Sequence, residues 1–415
     1  MIEPLLAGFD LDPRVREAAR RAERWLERRD PRTTAIRARV LRAFLDEGIP
    51  ESDLAGTTGY GYDDAARERY ESLLARLFGA ERVLARLSIV SGTHAIVAGL
   101  DALAPSGATL LAANGAPYDT LRHAVVTAPH SLVSRGLRYL EVPRTATGET
   151  DLVALREAVR RERPAVVFVQ RSRGYAVRRS LTIAAIGALA EVVHGAFRDA
   201  VVFVDNCYGE LVEEREPLEA GADVIAGSLI KNLGGGLAPG GGYLAGRVEL
   251  IETIAARVFA PGIGAGLGPT LGFGRALVQG LFYAPLVVAE TLRGLDFAAA
   301  LFAELGFETD PAAGEERTDI VQAIRLGSPE RLIAFARGLQ RAMPLNARFA
   351  PEPGPVPGYV DPVIMSSGSF VGGATIELSC DAPLREPYEV YVQGGVTAEH
   401  AALGAVLAAN AVLQA

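Results

Sequence analysis

Lysine is almost missing from this chain. The pooled lysine-plus-arginine count over 415 residues is 42, yet Lys231 is the sole lysine and every other cation is arginine. Tryptophan occurs once, and aromatic residues make up only 7% of the chain. Two cysteines, Cys207 and Cys380, are too few for a disulfide framework, and the opening Met-Ile-Glu-Pro-Leu-Leu-Ala-Gly-Phe-Asp lacks the basic and apolar regions of a signal peptide. These shortages predict a reducing, cytoplasmic setting. No apolar run approaches the roughly 18 uninterrupted residues of a membrane span, which excludes a membrane helix. Acids outnumber bases, giving a net charge of −8, so no basic face is available for nucleic acid. No His/Cys/Asp/Glu group has metal-ligand spacing, and no metal is expected. The partner left by these exclusions is a small molecule.

What is present is the composition of a globular enzyme, 49% hydrophobic and long enough for two lobes. Residues 13–47 carry apolar Val15, Ala18, Ala22, Trp25 and Leu26 at helical spacing. We assign residues 1–55 to a helical N-terminal arm. The segment Gly56-Thr-Thr-Gly-Tyr-Gly-Tyr62 is too glycine-rich for a helix and too aromatic for a plain linker, which makes it a candidate binding loop. Short apolar runs then alternate with helical patterns: 108–113, 137–142, 165–170, 201–205, 223–226 and 243–245. That alternation predicts an α/β fold with a mostly parallel sheet in a large domain spanning 56–290. Residues 291–415, with runs at 302–306, 320–326, 329–342 and 373–379, predict a smaller α+β domain. Five prolines between Pro351 and Pro362 mark a loop.

The lone lysine stands in Gly227-Ser-Leu-Ile-Lys-Asn-Leu-Gly-Gly-Gly236. An ε-amine can lose its proton and attack a carbonyl, which a guanidinium cannot, so a chain that uses arginine elsewhere keeps lysine where amine chemistry is needed. Ser228, three residues earlier, adds a hydroxyl suited to a phosphate. Val201-Val-Phe-Val-Asp205 reads as a buried strand ending in a carboxylate, and ligands of open α/β sheets lie at the carboxyl ends of strands. Asp205 there can pair with a protonated ring nitrogen, although an aspartate at a strand end also serves as a turn or helix cap. Ser91-Gly-Thr-His-Ala-Ile96 opens a helical pattern, where Ser91, Gly92 and Thr93 can offer N–H groups to an anion. Tyr118 follows a predicted strand, placing a ring to stack on a flat cofactor, and His94 and His123 are further polar candidates.

In order and spacing, Ser-Gly-Thr, Tyr118, Asp205 and Ser228-x-x-Lys231 resemble the pyridoxal phosphate enzymes of cysteine and methionine metabolism. More closely, the motifs Thr58-Gly-Tyr-Gly-Tyr-Asp, Val90-Ser-Gly-Thr-His-Ala, Pro117-Tyr-Asp-Thr-Leu, Gln170-Arg-Ser-Arg-Gly-Tyr, Lys231-Asn-x-Gly-Gly-Gly-Leu-Ala-Pro, Ala260-Pro-Gly-Ile-Gly and Arg385-Glu-Pro-Tyr are similar to the aluminium-resistance or methionine γ-lyase-like family. The resemblance runs from about residue 13 to the end. It implies the fold type I architecture, with a seven-stranded sheet, and pyridoxal 5′-phosphate as cofactor. By the same resemblance Lys231 binds the cofactor as a Schiff base and shuttles protons, Asp205 holds the pyridine nitrogen, and Tyr118 stacks on the ring and protonates the leaving group. Ser91, Gly92, Thr93 and Ser228 hold the phosphate. Tyr60 and Tyr62 reach the phosphate of a neighbouring subunit, which implies a homodimer or homotetramer.

Two departures stand out. The related lyases carry a carboxylate-binding arginine in Arg-Leu-Ser, whereas this chain reads Ile376-Glu377-Leu378-Ser379, so Arg385 or Arg173 must grip the carboxylate of an amino-acid substrate. Tyr62 occupies the place of an arginine in the neighbour-subunit loop. The expected reaction is elimination of a β or γ substituent, a thiol first among leaving groups. The alternatives are a halide or acyloxy leaving group, γ-replacement, and a cofactor-binding stress-resistance protein with little turnover.

Overall fold

The computed structural model describes residues 2–259 and 262–415. Ala260 and Pro261, which open the Ala260-Pro-Gly-Ile-Gly motif, lie outside the described residues. The chain divides into two compact units, Ala35–Phe282 and a second formed by Met1–Thr34 together with Tyr283–Ala415.

The first unit is built on seven strands: β1 Arg82–Arg86, β2 Thr109–Ala112, β3 Arg138–Glu141, β4 Val166–Gln170, β5 Val201–Asp205, β6 Val224–Ser228 and β7 Gly242–Gly246. Their order across the sheet is β1-β7-β6-β5-β4-β2-β3, with β7 antiparallel to both neighbours and the pairs from β6 to β3 parallel. Strands β4 to β7 are buried at every position, which is why they read as continuous apolar runs rather than alternating ones. The helices Gly92–Leu103, Leu152–Glu162 and Ile183–Ala196 connect successive strands. Each opens on a side chain that accepts from its first turn: Ser91, Asp151 and Thr182. Gly99 lets the helix Gly92–Leu103 lie close on the sheet, because a Cβ there would come within 2.7 Å of Leu244 and Phe203.

The expected strands from β2 to β7 are all present, whereas β1 carried no sequence signal. Arginines close both of its ends, and the second is turned inward: the Arg86 guanidinium is buried, donates to the carbonyls of Leu267 and Ala265 at 3.0 Å each, and pairs with Glu71.

The second unit carries a five-stranded antiparallel sheet, β8 Glu308–Asp310, β9 Val321–Arg325, β10 Val363–Ser367, β11 Ser379–Pro383 and β12 Glu389–Gln393, in the order β10-β11-β12-β9-β8. The helices Pro329–Gln340 and Ala398–Gln414 pack side by side in it. The residues up to Thr34 belong to this unit. Asp12 N–H donates to Asn410 Oδ1 at 2.8 Å, Arg21 pairs with Glu304 at 2.8 Å, and Arg32 pairs with Glu316 at 3.1 Å. The expected helix over 13–47 is broken into Pro13–Ala22, Arg24–Glu27 and Arg32–Glu47, since Pro31 disfavours a helical Asp30 and offers no N–H. The division between units falls inside the helix Gly274–Glu304, between Phe282 and Tyr283, and the boundary expected near residue 290 lies in the same helix. The run expected over 373–379 forms turns, with β11 starting only at Ser379. Glu377 is the reason: its buried carboxylate accepts the backbone N–H of Phe370 at 2.7 Å and of Val371 at 3.1 Å, folding the segment back on itself.

Candidate active site

Parallel register brings the chemistry to one rim. Gln170, Asp205 and Ala226 are paired neighbours on β4, β5 and β6, and Ser228 ends β6 two residues further on. Asp205 is buried and accepts the Cys207 N–H at 3.1 Å. Among the described residues no ion pair neutralises it, and burial pushes its carboxyl up to about 6. The nearby cation, Arg178, is itself held down to about 9 by burial, and its guanidinium donates to the carbonyls of Arg173, Asn114 and Ser172.

Lys231 follows Ser228 by three residues, at the entrance to a short turn, Asn232–Gly234. Asn232 is fully buried and fixes that turn against the loop leaving β5, donating to the carbonyls of Tyr208 at 3.0 Å and Glu210 at 2.8 Å. The Lys231 Nζ lies 5.2 Å from the centroid of the Tyr208 ring.

A third element closes the rim. At the start of the helix Gly92–Leu103 the first N–H groups have no partner within the helix, and Ser91 Oγ caps it by accepting from His94 N at 3.1 Å. Gly92 is packed where a Cβ would meet Cys207 Sγ at 3.0 Å and Ser228 Cβ at 3.3 Å, so this helix start and the end of β6 face one another without side-chain bulk. Thr93 Oγ1 and Tyr118 Oη are 2.7 Å apart. Tyr118 is held from behind by Gln170, whose Oε1 accepts the Tyr118 N–H at 2.8 Å, and Gln170 is in turn locked to Asn114. Burial, then the charge of Asp205, keeps the Tyr118 phenol protonated well beyond its ordinary range.

The structure therefore gathers Ser91, Gly92, Thr93, Tyr118, Asp205, Ser228 and Lys231 on one edge of one sheet. The set fits a flat cofactor that carries an aldehyde, a basic ring nitrogen and a phosphate: an amine for the first, an unpaired buried carboxylate for the second, and a small-residue cradle at a helix start for the third. Arg173 is buried on the loop that follows β4, its N–H bound to Ser180 Oγ at 2.9 Å. Arg385 belongs to the other unit, on the turn between β11 and β12, with its guanidinium 5.9 Å from the centre of the Tyr359 ring. Tyr60 and Tyr62 are exposed, their rings 5.9 Å apart. Their loop is nevertheless pinned: buried Asp64 accepts from Thr57 N, Thr270 N and Arg67 N, and Gly268 N donates to the Tyr60 carbonyl. His94 and His123 make local bonds, to Val90 N and Thr127 Oγ1.

Sequence reading missed Tyr208, Glu210 and Arg178. The loop from Asp205 to Glu216 wraps a buried ionic cluster: Arg171 donates to Asn206 Oδ1 at 2.7 Å and to Glu213 at 2.9 Å, and Asn206 donates to Glu216 at 3.0 Å. Below it Tyr243 Oη donates to Glu210 Oε1 at 2.8 Å, and burial raises the Glu210 carboxyl to about 8. Charged residues in an apparent surface loop gave no sign of this.

Comparison with known proteins identifies the fold and the family. The fold is that of fold type I enzymes: the pyridoxal-5′-phosphate dependent protein YhfS from Escherichia coli superposes with a TM-score of 0.64 over 92% of this chain and 96% of that one, at 20% identity. The methionine gamma-lyase family matches residues 13–413, and the chain belongs to that family. The uncharacterized protein YnbB of Bacillus subtilis is 42% identical over 91% of this chain and 90% of its own. A carbon-sulfur lyase involved in aluminum resistance from Clostridium novyi NT has a TM-score of 0.91 at 37% identity, with 98% of each chain covered. Among the described residues no helix is long and apolar enough to cross a membrane.

The Glu210 shift predicts how stability varies with pH. The unfolded chain titrates Glu210 near 4.5, and the fold keeps its proton to about 8. Between those values the folded state holds the extra proton, so stability is highest on the acid side and is lost as pH rises through 8. Glu210→Gln, which keeps the Tyr243 bond without the titration, should gain a few kcal/mol relative to the parent between pH 5 and 9, on the order of several degrees in Tm. Thermal unfolding of both proteins across that range checks it; parallel curves would show that Glu210 is ionised in the fold.

Proposed function

We propose that this protein is a pyridoxal 5′-phosphate-dependent lyase that expels a β or γ substituent, a thiol first among leaving groups, from a small amino acid. The observation that carries the reading is the sole lysine standing on the same rim as a buried carboxylate that has no ion-pair partner among the described residues. Pyridoxal phosphate supplies, when bound, an electron sink for the pair left on a substrate carbon that loses its proton. Lys231 attaches the cofactor and moves the proton at the substrate Cα. Asp205 pairs with the ring nitrogen, and a cation there reverses the burial cost that now favours its protonated form. Gly92, Thr93 and the Ser228 hydroxyl hold the phosphate, with Ser91 fixing the helix start. Tyr118 covers the ring and is the candidate proton donor to a departing thiolate.

Arg173 and Arg385 are the candidate clamps for the substrate carboxylate. Glu377 is excluded from that task by its bonds to Phe370 and Val371. The pinned, exposed loop of Tyr60 and Tyr62 supports a homodimer or homotetramer in which those hydroxyls complete a neighbour's phosphate site. Both cysteines are free, in keeping with a cytoplasmic setting.

Purified protein loaded with pyridoxal phosphate and given cystathionine, methionine or S-alkyl cysteines should release keto acid, ammonia and thiol in equal amounts, and Lys231→Ala should abolish this. Pyruvate marks β-elimination and 2-oxobutanoate γ-elimination. Consumption of 4-chloro or O-acyl amino acids without thiol release from the sulfur compounds would move the leaving group; inertness toward all of them would end the lyase reading.

Asp205→Asn should fold and bind the cofactor but lose most turnover, on the order of a hundredfold or more, because a neutral amide cannot keep the ring nitrogen protonated. Steady-state kinetics beside cofactor absorbance decide it, and near-normal turnover would leave Asp205 a structural residue. For the shared site, mixing Lys231→Ala chains with chains altered at both Tyr60 and Tyr62 should restore part of the activity. Verified mixed dimers that stay inactive would place each site within one chain.

A further inference from the structure

Tyr208 is held in a conformation that side chains avoid. Its φ is +73°, and Leu211 three residues on has φ +61°. Non-glycine residues at positive φ are uncommon, cost of order 1–3 kcal/mol, and persist where the surroundings over-determine them. Here they do. Asn206, before Tyr208, is bonded to Arg171 and Glu216. Gly209, after it, is packed so tightly that a Cβ would come within 2.5 Å of the Arg171 guanidinium. The Tyr208 carbonyl receives Asn232 Nδ2, and Leu211 N donates to Glu216 Oε1 at 2.9 Å. One turn is thus tied both to the buried cluster beneath it and, through Asn232, to the residue next to Lys231.

What this arrangement presents is the face of the half-buried Tyr208 ring, 5.2 Å from the Lys231 Nζ. An ammonium within about 6 Å of a ring centroid is attracted to its face, by roughly 0.5–1 kcal/mol where water still reaches. We propose that Tyr208 is a positioning residue, a seat on which the Lys231 amine rests whenever it is not joined to the cofactor. The inference rests on the reading of Lys231 as the cofactor-bearing, proton-moving amine. A lysine side chain has about 2 kcal/mol of rotamer entropy to lose. Seated on the ring, the amine stays near the Asp205 rim, while the strained turn keeps the ring from moving away.

Because the chain has one lysine, growth on ¹³Cε-lysine gives a single methylene signal, readable in the cofactor-free protein. In the parent and in Tyr208→Phe, ring current should move that signal upfield of the random-coil position. In Tyr208→Asn it should return to the random-coil position. Asparagine tolerates the left-handed backbone, so this variant should melt no lower than the parent. With thiol-releasing substrates, Tyr208→Asn should lower kcat roughly two- to fivefold with KM little changed, and Tyr208→Phe should restore it. An unshifted signal in the parent, or a shift that survives in Tyr208→Asn, overturns the seat. Loss of the shift with unchanged kcat overturns its role in turnover, and a Tyr208→Phe as slow as Tyr208→Asn assigns the effect to the hydroxyl. A parent protein inert toward every amino acid offered would instead defeat the lyase reading, while the cofactor-free signal still decides the seat.

Discussion

The structure around the rim depends on a buried carboxylate that no ion pair neutralises among the described residues. Asp205 is carried there by β5, whose four apolar residues, buried like Asp205 itself, leave the strand no freedom of register between β4 and β6. Taking an ionised carboxylate out of water is costly, and the fold tolerates it in part by protonation and in part through the Cys207 N–H. Everything nearby is compatible with a later, stronger partner. Arg178 is turned to backbone carbonyls, Tyr118 keeps its proton, and the Lys231 Nζ lies over the Tyr208 ring. Pairing Asp205 with arginine would have stabilised the empty fold and left no place for a ring nitrogen.

How much of this was legible in the sequence follows from what each signal reports. Strands β4 and β5 are uninterrupted β-branched runs, and their ends identify Gln170 and Asp205 directly. Strand β1 hides behind its two arginines because charge at a strand end normally means solvent, whereas the Arg86 side chain is satisfied internally by carbonyls of residues about 180 positions away. The boundary expected near residue 290 and the division between Phe282 and Tyr283 lie in one 31-residue helix, which holds one continuous pattern, and a division set by packing leaves no mark on periodicity. Among site residues, lysine scarcity singled out Lys231, and the motifs found Tyr118 and the helix start. Tyr208 escaped because its role lies in a backbone angle, and no residue-type rule assigns a tyrosine to the left-handed region.

The departures from the related lyases have physical accounts of different kinds. Glu377 stands where an arginine is expected, yet it closes the 370–377 segment by accepting two successive N–H groups, work that a cation could not do. Tyr62 has no such internal duty. It is exposed beside Tyr60 on a loop whose backbone Asp64 and Arg67 hold from the inside. Rigid backbone under exposed aromatic rings suits a surface that another molecule completes.

The interleaving of the two units sets an order on the birth of the protein. Residues 35–282 form one compact unit that can condense once they have emerged during synthesis. The first 34 residues cannot do the same. Asp12 must wait for Asn410, 398 residues further along the chain, before its backbone N–H finds the side chain that receives it. Through most of translation the helix Pro13–Ala22, with Val15, Ala18 and Ala19 destined for burial, is therefore an amphipathic segment without its mate. Its dense arginines keep it soluble during that interval, so the chain's preference for guanidinium over amine also serves a segment that spends its early life exposed.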